Sequence, residues 1–326
     1  MIYVYCSIGV ILGIILLCFF LAFLIHRKTF GKRWEPDSIV KYYEKEDFIG
    51  LVAEKVEIPT AKGLLRGFFY KYPTKSKEKI LVFAHGMWGS HRAYLQEIEL
   101  LAQAGFIVLG FDYFGTESSD GKNILGLANS LKSLDCAICY VKKSFPNRRI
   151  YVMGHSWGGF AASSIAKFHP DLAGIVSMSG FISSRMIFKH LLPKPIHFVI
   201  PFLILLDSIK CGGYSYTKVV RVLKSSKVPT LILHSRDDTM VPYLSSTAVV
   251  QRKVLNQKIY YHIVDGKRHN PDYKKEAFDY AIEVQKELLQ MKTAEERLEY
   301  RKTINYHKLG EIDLDVFGVI TDFLNS

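Results

Sequence analysis

Gly154-His155-Ser156-Trp157-Gly158 sets a serine between glycines in the pattern G-x-S-x-G. An apolar run, Ile150–Met153, precedes it, and an amphipathic stretch, Trp157–Phe168, follows. In that strand–turn–helix setting the pattern is a nucleophile elbow. The turn lifts a serine hydroxyl clear of a sheet. Backbones crowd there, so small neighbours are needed, and Gly154, Gly158 and Gly159 supply them. The N-terminus of the helix lies beneath any developing oxyanion.

A serine hydroxyl is a weak nucleophile at neutral pH and needs a base, itself oriented by an acid. After such an elbow the acid comes next in the chain and the histidine last. His269 lies just past the final strand-like run, in Val264-Asp265-Gly266-Lys267-Arg268-His269-Asn270-Pro271. A strand end followed by glycine and a loop suits a mobile base. His262 falls inside a strand, and His190 and His197 fall in an insertion. The acid belongs past the run Thr230–His234, where Asp237 and Asp238 compete; Asp238 is favoured. Two backbone N–H groups must hold an oxyanion. Trp157, next after the serine, offers one, and Met87 in His85-Gly86-Met87-Trp88-Gly89 the other. His85 is read as a brace for that loop.

The elements that position these groups alternate. Val52–Ile58 and Leu64–Tyr70 read as a hairpin turning at Lys62-Gly63. Strand-like runs follow at Ile80–Ala84, Phe106–Phe111, Leu172–Met178 and Ile259–Val264. Helical patterns lie between and after them, at Arg92–Ala104, Ile124–Ser144, Leu244–Leu255, Tyr273–Gln290 and Leu314–Leu324. This rhythm predicts an α/β fold, a mostly parallel eight-stranded sheet covered on both faces. Residues 183–227 interrupt it with three prolines and the apolar run Phe198–Leu206, and read as a helical cap over the site.

Residues Tyr3 to Ile25 carry no charged side chain, long enough for a transmembrane helix. Nothing basic precedes the stretch and bulky residues end it, which disfavours a cleaved signal peptide. The expected organisation is an anchor over 1–27, a juxtamembrane linker over 28–50 and a catalytic domain over 51–326. Arg27, Lys28, Lys32 and Arg33 follow the anchor, which places the domain in the cytoplasm by the positive-inside rule. Lys and Arg outnumber Asp and Glu by 43 to 31, but as scattered cations without interleaved aromatics. That favours an anionic membrane surface over nucleic acid as partner. Five cysteines are too few and too uneven for a disulfide framework, and Cys136 and Cys139 share a helix face. No metal or organic cofactor is implied, because no ligand cluster or dinucleotide fingerprint stands out.

Five motifs in order carry a resemblance. They are His-Gly-Met-Trp-Gly-Ser at 85–90, Phe-Asp-Tyr-Phe-Gly at 111–115, Gly-His-Ser-Trp-Gly-Gly at 154–159, His-x-x-x-Asp-x-x-Val-Pro at 234–242, and the loop His269. The chain resembles the α/β-hydrolase superfamily, in its serine aminopeptidase-like and monoacylglycerol-lipase-like branch. The resemblance implies a Ser156–Asp238–His269 triad, a structural role for Asp112, and hydrolysis of a hydrophobic acyl ester. Trp157 departs from the methionine or glutamine common there in lipases, which narrows the acyl side. Thioesterase, peptidase and acyltransferase chemistry use the same parts. A non-catalytic membrane scaffold of the same fold is the alternative from outside enzymology.

Overall fold

The computed structural model describes residues 1–75 and 78–326. Eight strands form one sheet: β1 (Val52–Thr60), β2 (Gly63–Lys71), β3 (Lys79–Ala84), β4 (Ile107–Phe111), β5 (Arg149–His155), β6 (Gly174–Met178), β7 (Thr230–Ser235) and β8 (Ile259–Val264). Their order is β1-β2-β4-β3-β5-β6-β7-β8. β2 runs antiparallel to β1 and β4, and all other pairs are parallel. Strands β3 to β7 are almost wholly buried apolar runs, as a sheet covered on both faces requires.

The helices are α1 (Ile2–Phe30), α2 (Leu95–Gln103), α3 (Asn129–Ser144), α4 (Trp157–Ile165), α5 (Ser184–Leu191), α6 (Ile200–Cys211), α7 (Val219–Ser225), α8 (Thr247–Lys253), α9 (Lys275–Gln290), α10 (Ala294–Thr303), α11 (Tyr306–Leu309) and α12 (Leu314–Asn325). Two apolar cores lie on opposite faces of the sheet. One packs α3 and α4 through Leu131, Leu134, Ile138, Phe160 and Ile165. The other packs α2 and α12 through Ile98, Leu101, Phe317 and Ile320.

Three helices begin three or more residues later than their hydrophobic pattern predicts. α3 starts at Asn129 rather than at Ile124, because Leu125 holds φ +65° and breaks helical geometry. Asp207 from α6 then accepts hydrogen bonds from the N–H of Ala128, tying the cap to this turn. α2 and α8 are each preceded by a short 3-10 turn, at His91–Tyr94 and Tyr243–Ser245. The charged stretch over 292–310 folds into α10 and α11, the first opened by a capping box between Thr293 and Glu296.

The cap comprises α5, α6 and α7. α6 has 12 residues, a rise of about 18 Å, too short for a bilayer. α1 is different. Its first turns are exposed, with Tyr5, Leu16 and Leu17 each more than 60% accessible. From Phe19 onward it packs on α6, with Phe19 edge-on to Phe202 at 6.4 Å and Ala22 and Phe30 buried. The segment after it is pinned to the body: Trp34 bridges to Thr116, and Arg33 donates to the carbonyls of Glu117, Ser119 and Gly121.

β5 ends where α4 begins, and glycine is required at the crossing. A Cβ on Gly158 would stand 1.9 Å from the carbonyl oxygen of Ala84, and one on Gly154 would stand 2.4 Å from that of Gly158. Behind β4, Asp112 is fully buried and accepts from the N–H and Nδ1 of His91 and from Ser118. Burial opposes its ionisation, but the facing His91 and these hydrogen bonds bring its carboxyl down to about 2.

Two outcomes are expected. Gly158→Ala must displace backbone rather than a flexible side chain, so it lowers stability by at least about 2 kcal/mol, read by denaturant titration. The Asp112 carboxyl has a lowered pKa, so its stabilisation is complete above the ordinary carboxylate value of about 4 and is lost as pH falls toward 2. Asp112→Asn should lower stability at pH 7 and flatten the melting-temperature profile between pH 4 and pH 2.

Candidate active site

Ser156 is the N-cap of α4, at φ +57° and ψ −110°. This backbone conformation is strained for a residue with a Cβ. It is held from both sides: the Ser156 N–H donates to the carbonyl of Met178 at 2.8 Å, and its carbonyl accepts from Phe160 at 3.0 Å. The hydroxyl opens into a cavity of about 300 Å³. Met87, Trp88, Leu127, Ile187, Leu191 and Met240 supply apolar lining, and the cap contributes through α5.

His269 and Asp238 arrive from the loops after β8 and β7. His269 Nε2 lies 2.8 Å from Ser156 Oγ, and His269 Nδ1 lies 2.8 Å from Asp238 Oδ2. With the carboxylate accepting at Nδ1, the free nitrogen is Nε2, which faces the hydroxyl. Asp238 Oδ1 accepts from the N–H groups of Met240 and Val241 at 2.8 and 2.9 Å. Burial would raise this carboxyl; hydrogen bonds from His234, His269 and the backbone hold it well below the carboxylate range. Asp237 points elsewhere. Its Oδ1 accepts from Ser235 Oγ and from the N–H of Gly266 and Arg268, fastening the turn that leads to His269.

Trp157 and Met87 line the same cavity as Ser156. The N–H of Trp157 is the first of α4, among the donors that a helix start leaves without intrahelical partners. Its ring is almost fully buried, edge-on to Tyr113 at 5.1 Å, with the indole N–H donating to the carbonyl of Leu127. His85 braces its loop, donating from Nδ1 to the carbonyl of Gly86 at 2.7 Å and stacking on Tyr113.

Sequence reasoning passed over His155 and Tyr94. The N–H of Gly86 donates to the Tyr94 hydroxyl at 3.1 Å, and that hydroxyl donates to His155 Nδ1 at 2.8 Å. His155 Nε2 then donates to the carbonyl of His269 at 2.9 Å. Burial, reinforced by the neighbouring His269, pushes the His155 imidazole down to about 3, so it stays neutral and keeps one donor and one acceptor. The Met87 loop and the His269 loop are thereby joined through the elbow. The signal was present as the residue before the serine, but its partners sit 61 and 114 positions away.

Elsewhere, ligand atoms of Asp135, Cys139 and His169 lie within 4.8 Å of one another. Lys142 donates to His169 Nδ1 at 3.0 Å, which leaves the proton on Nε2, donated to Asp135 at 2.7 Å. Asp135 and His169 are thus engaged with each other and with Lys142, a poor fit for a cation.

Comparisons with known proteins bear on the fold. The family described as serine aminopeptidase, S33, matches residues 75–209. The lysophosphatidylserine lipase ABHD12 of Danio rerio is 26% identical over 189 residues, covering 54% of this chain and 47% of that one. Epoxide hydrolase B of Mycobacterium tuberculosis is 32% identical over 108 residues, 33% of this chain and 30% of that one. The chain thus spans about half or less of the length of these curated relatives. Among solved structures, the Pyrococcus furiosus esterase Pf2001 superposes with a TM-score of 0.55 at 21% identity, over 72% of this chain and 89% of that one. The eight-stranded order, the strained serine between β5 and α4, and these matches together show the α/β-hydrolase fold and support a member of the α/β-hydrolase superfamily.

Proposed function

We propose that the chain is a membrane-anchored serine hydrolase that cleaves a hydrophobic acyl ester through an acyl-enzyme. The observation that carries this reading is the continuous hydrogen-bonded chain Ser156–His269–Asp238 at the floor of an apolar cavity. Ser156 Oγ attacks the ester carbonyl while His269 Nε2 takes its proton. The carbonyl electron pair moves onto oxygen, and the amides of Met87 and Trp157 hold that oxyanion. The carbonyl re-forms as the alkoxide leaves, protonated by His269. Water, deprotonated by His269, then attacks the acyl-serine and returns the hydroxyl. Asp238 keeps His269 in the required tautomer and stabilises the imidazolium.

Ester and lipid preference rest on the lining. Leu191, Met240 and Trp88 at the cavity are each more than half exposed, an apolar rim suited to an acyl chain. α1 is read as a single-pass anchor over residues 1–27, followed by the juxtamembrane segment 28–50 and the hydrolase domain 51–326. The cations Arg27, Lys28, Lys32 and Arg33 favour a cytoplasmic domain. The ABHD12 relative, named for a lysophospholipid substrate, supports the same class of chemistry.

A fluorophosphonate probe on the detergent-solubilised chain is expected to label Ser156, with loss of the label in Ser156→Ala, as read by peptide mass spectrometry. Folded wild-type protein that takes no label and cleaves no p-nitrophenyl ester would overturn the reading in favour of a scaffold. The two adjacent aspartates separate by kinetics. Asp238→Asn is expected to lower kcat by about ten-thousand-fold, the scale for loss of the orienting acid. Asp237→Asn, which only loosens a turn, should stay within about tenfold.

A further inference from the structure

Two adjoining cavities lie in and beside the cap, apart from the one around Ser156. The first, about 460 Å³, is walled by the end of α4 and by α7; the second, about 400 Å³, by α5, α6 and the segment before α7. They share Tyr216, Thr217, Lys218 and Arg221. Lys167 and Lys227 complete the basic lining of one, and Arg185 that of the other. No carboxylate lines either cavity, and among the described residues none of these five cations forms an ion pair. Other surface cations do meet carboxylates, as with Arg66, which meets both Glu57 and Asp120. A second observation points the same way. Thr217 is 3% exposed, its hydroxyl has no partner, and it lines both cavities. A buried hydroxyl without a partner carries a desolvation penalty that a bound acceptor removes.

We infer that these paired cavities bind a phosphate-bearing anion. Guanidinium and ammonium groups converging on a concave surface match a multiply charged tetrahedral oxyanion, and the Thr217 hydroxyl supplies a neutral donor. The combined space exceeds a bare ion, so the phosphate carries an organic body. Pro201 and Ile204 of α6 give the second cavity an apolar wall, and their neighbour Phe202 packs on Phe19 of α1. The site therefore borders the anchor helix, where a lipid headgroup or a soluble phosphomonoester could each reach it. It is separate from the reacting centre: Arg185 lies in the first turn of α5, and Leu191, six residues and about 9 Å on, lines the Ser156 cavity.

The test does not depend on hydrolysis. The full chain carrying Ser156→Ala, in detergent, is titrated calorimetrically with inorganic phosphate, glycerol 3-phosphate, dioctanoyl phosphatidic acid and, as a phosphate-free control, dioctanoylglycerol. Saturable binding of at least one phosphate ligand is expected, weakened tenfold or more by K218Q/R221Q and by R185Q on a different helix. K253Q/K258Q, an equal charge loss elsewhere, should leave it unchanged, with circular dichroism melts showing that each variant is folded. Binding of phosphatidic acid alone assigns a lipid headgroup; binding of glycerol 3-phosphate as well assigns a soluble ligand. No saturable phosphate binding, equal binding of dioctanoylglycerol, or equal loss in K253Q/K258Q overturns the inference.

Discussion

The arrangement depends on one strained residue. Ser156 sits in a conformation that side chains avoid, which costs on the order of 1–3 kcal/mol. It persists because its surroundings leave no alternative. The carbonyl of Met178 fixes its N–H, the first turn of α4 fixes its carbonyl, and β3 presses against Gly158 with no room for a Cβ. The strain aims the hydroxyl upward at the C-terminal edge of the sheet, where the loops after β3, β7 and β8 converge. Open parallel sheets place their ligand crevices at that edge.

Electrostatics then distributes the roles. Asp238 and Asp112 are both buried carboxylates held ionised, each by a histidine and by backbone or hydroxyl donors. One faces His269, and the other braces the loop behind β4. His155 and His85 are buried without a carboxylate bonded to either ring, and burial keeps them neutral. A neutral imidazole has one donor and one acceptor, so each fixes a direction in a hydrogen-bond chain. In His155 that direction runs from Tyr94 to the carbonyl of His269, making the histidine loop and the loop of Met87 parts of a single unit.

The cap is fixed at both ends of its longest helix. Asp207 of α6 accepts from the turn before α3, and Phe202 meets Phe19 of α1. Trp157 links the same turn to the site, because its indole donates to Leu127 while its backbone opens α4. A bulky residue after the serine is thus accommodated by burial against Tyr113 and bonding to the turn, at the edge of the cavity.

By itself the sequence determined the α/β alternation, the position of the elbow and the order of serine, acid and histidine, because these follow from local periodicity and from glycine spacing. Asp237 and Asp238 are adjacent and chemically identical; motif position favoured Asp238, without a physical ground for the division. Tertiary structure divided them, by turning one toward His269 and the other toward the amides of Gly266 and Arg268. The same holds for His155, whose partners come from distant segments, and for the late start of α3, where a left-handed Leu125 overrides a helical pattern. The unpaired cations of the cap are scattered along the chain between positions 167 and 227, and only folding gathers them around Thr217. Periodicity and turn chemistry act over a few residues and can be read in order. Side-chain direction and long-range hydrogen bonding depend on which loops the sheet brings to one edge.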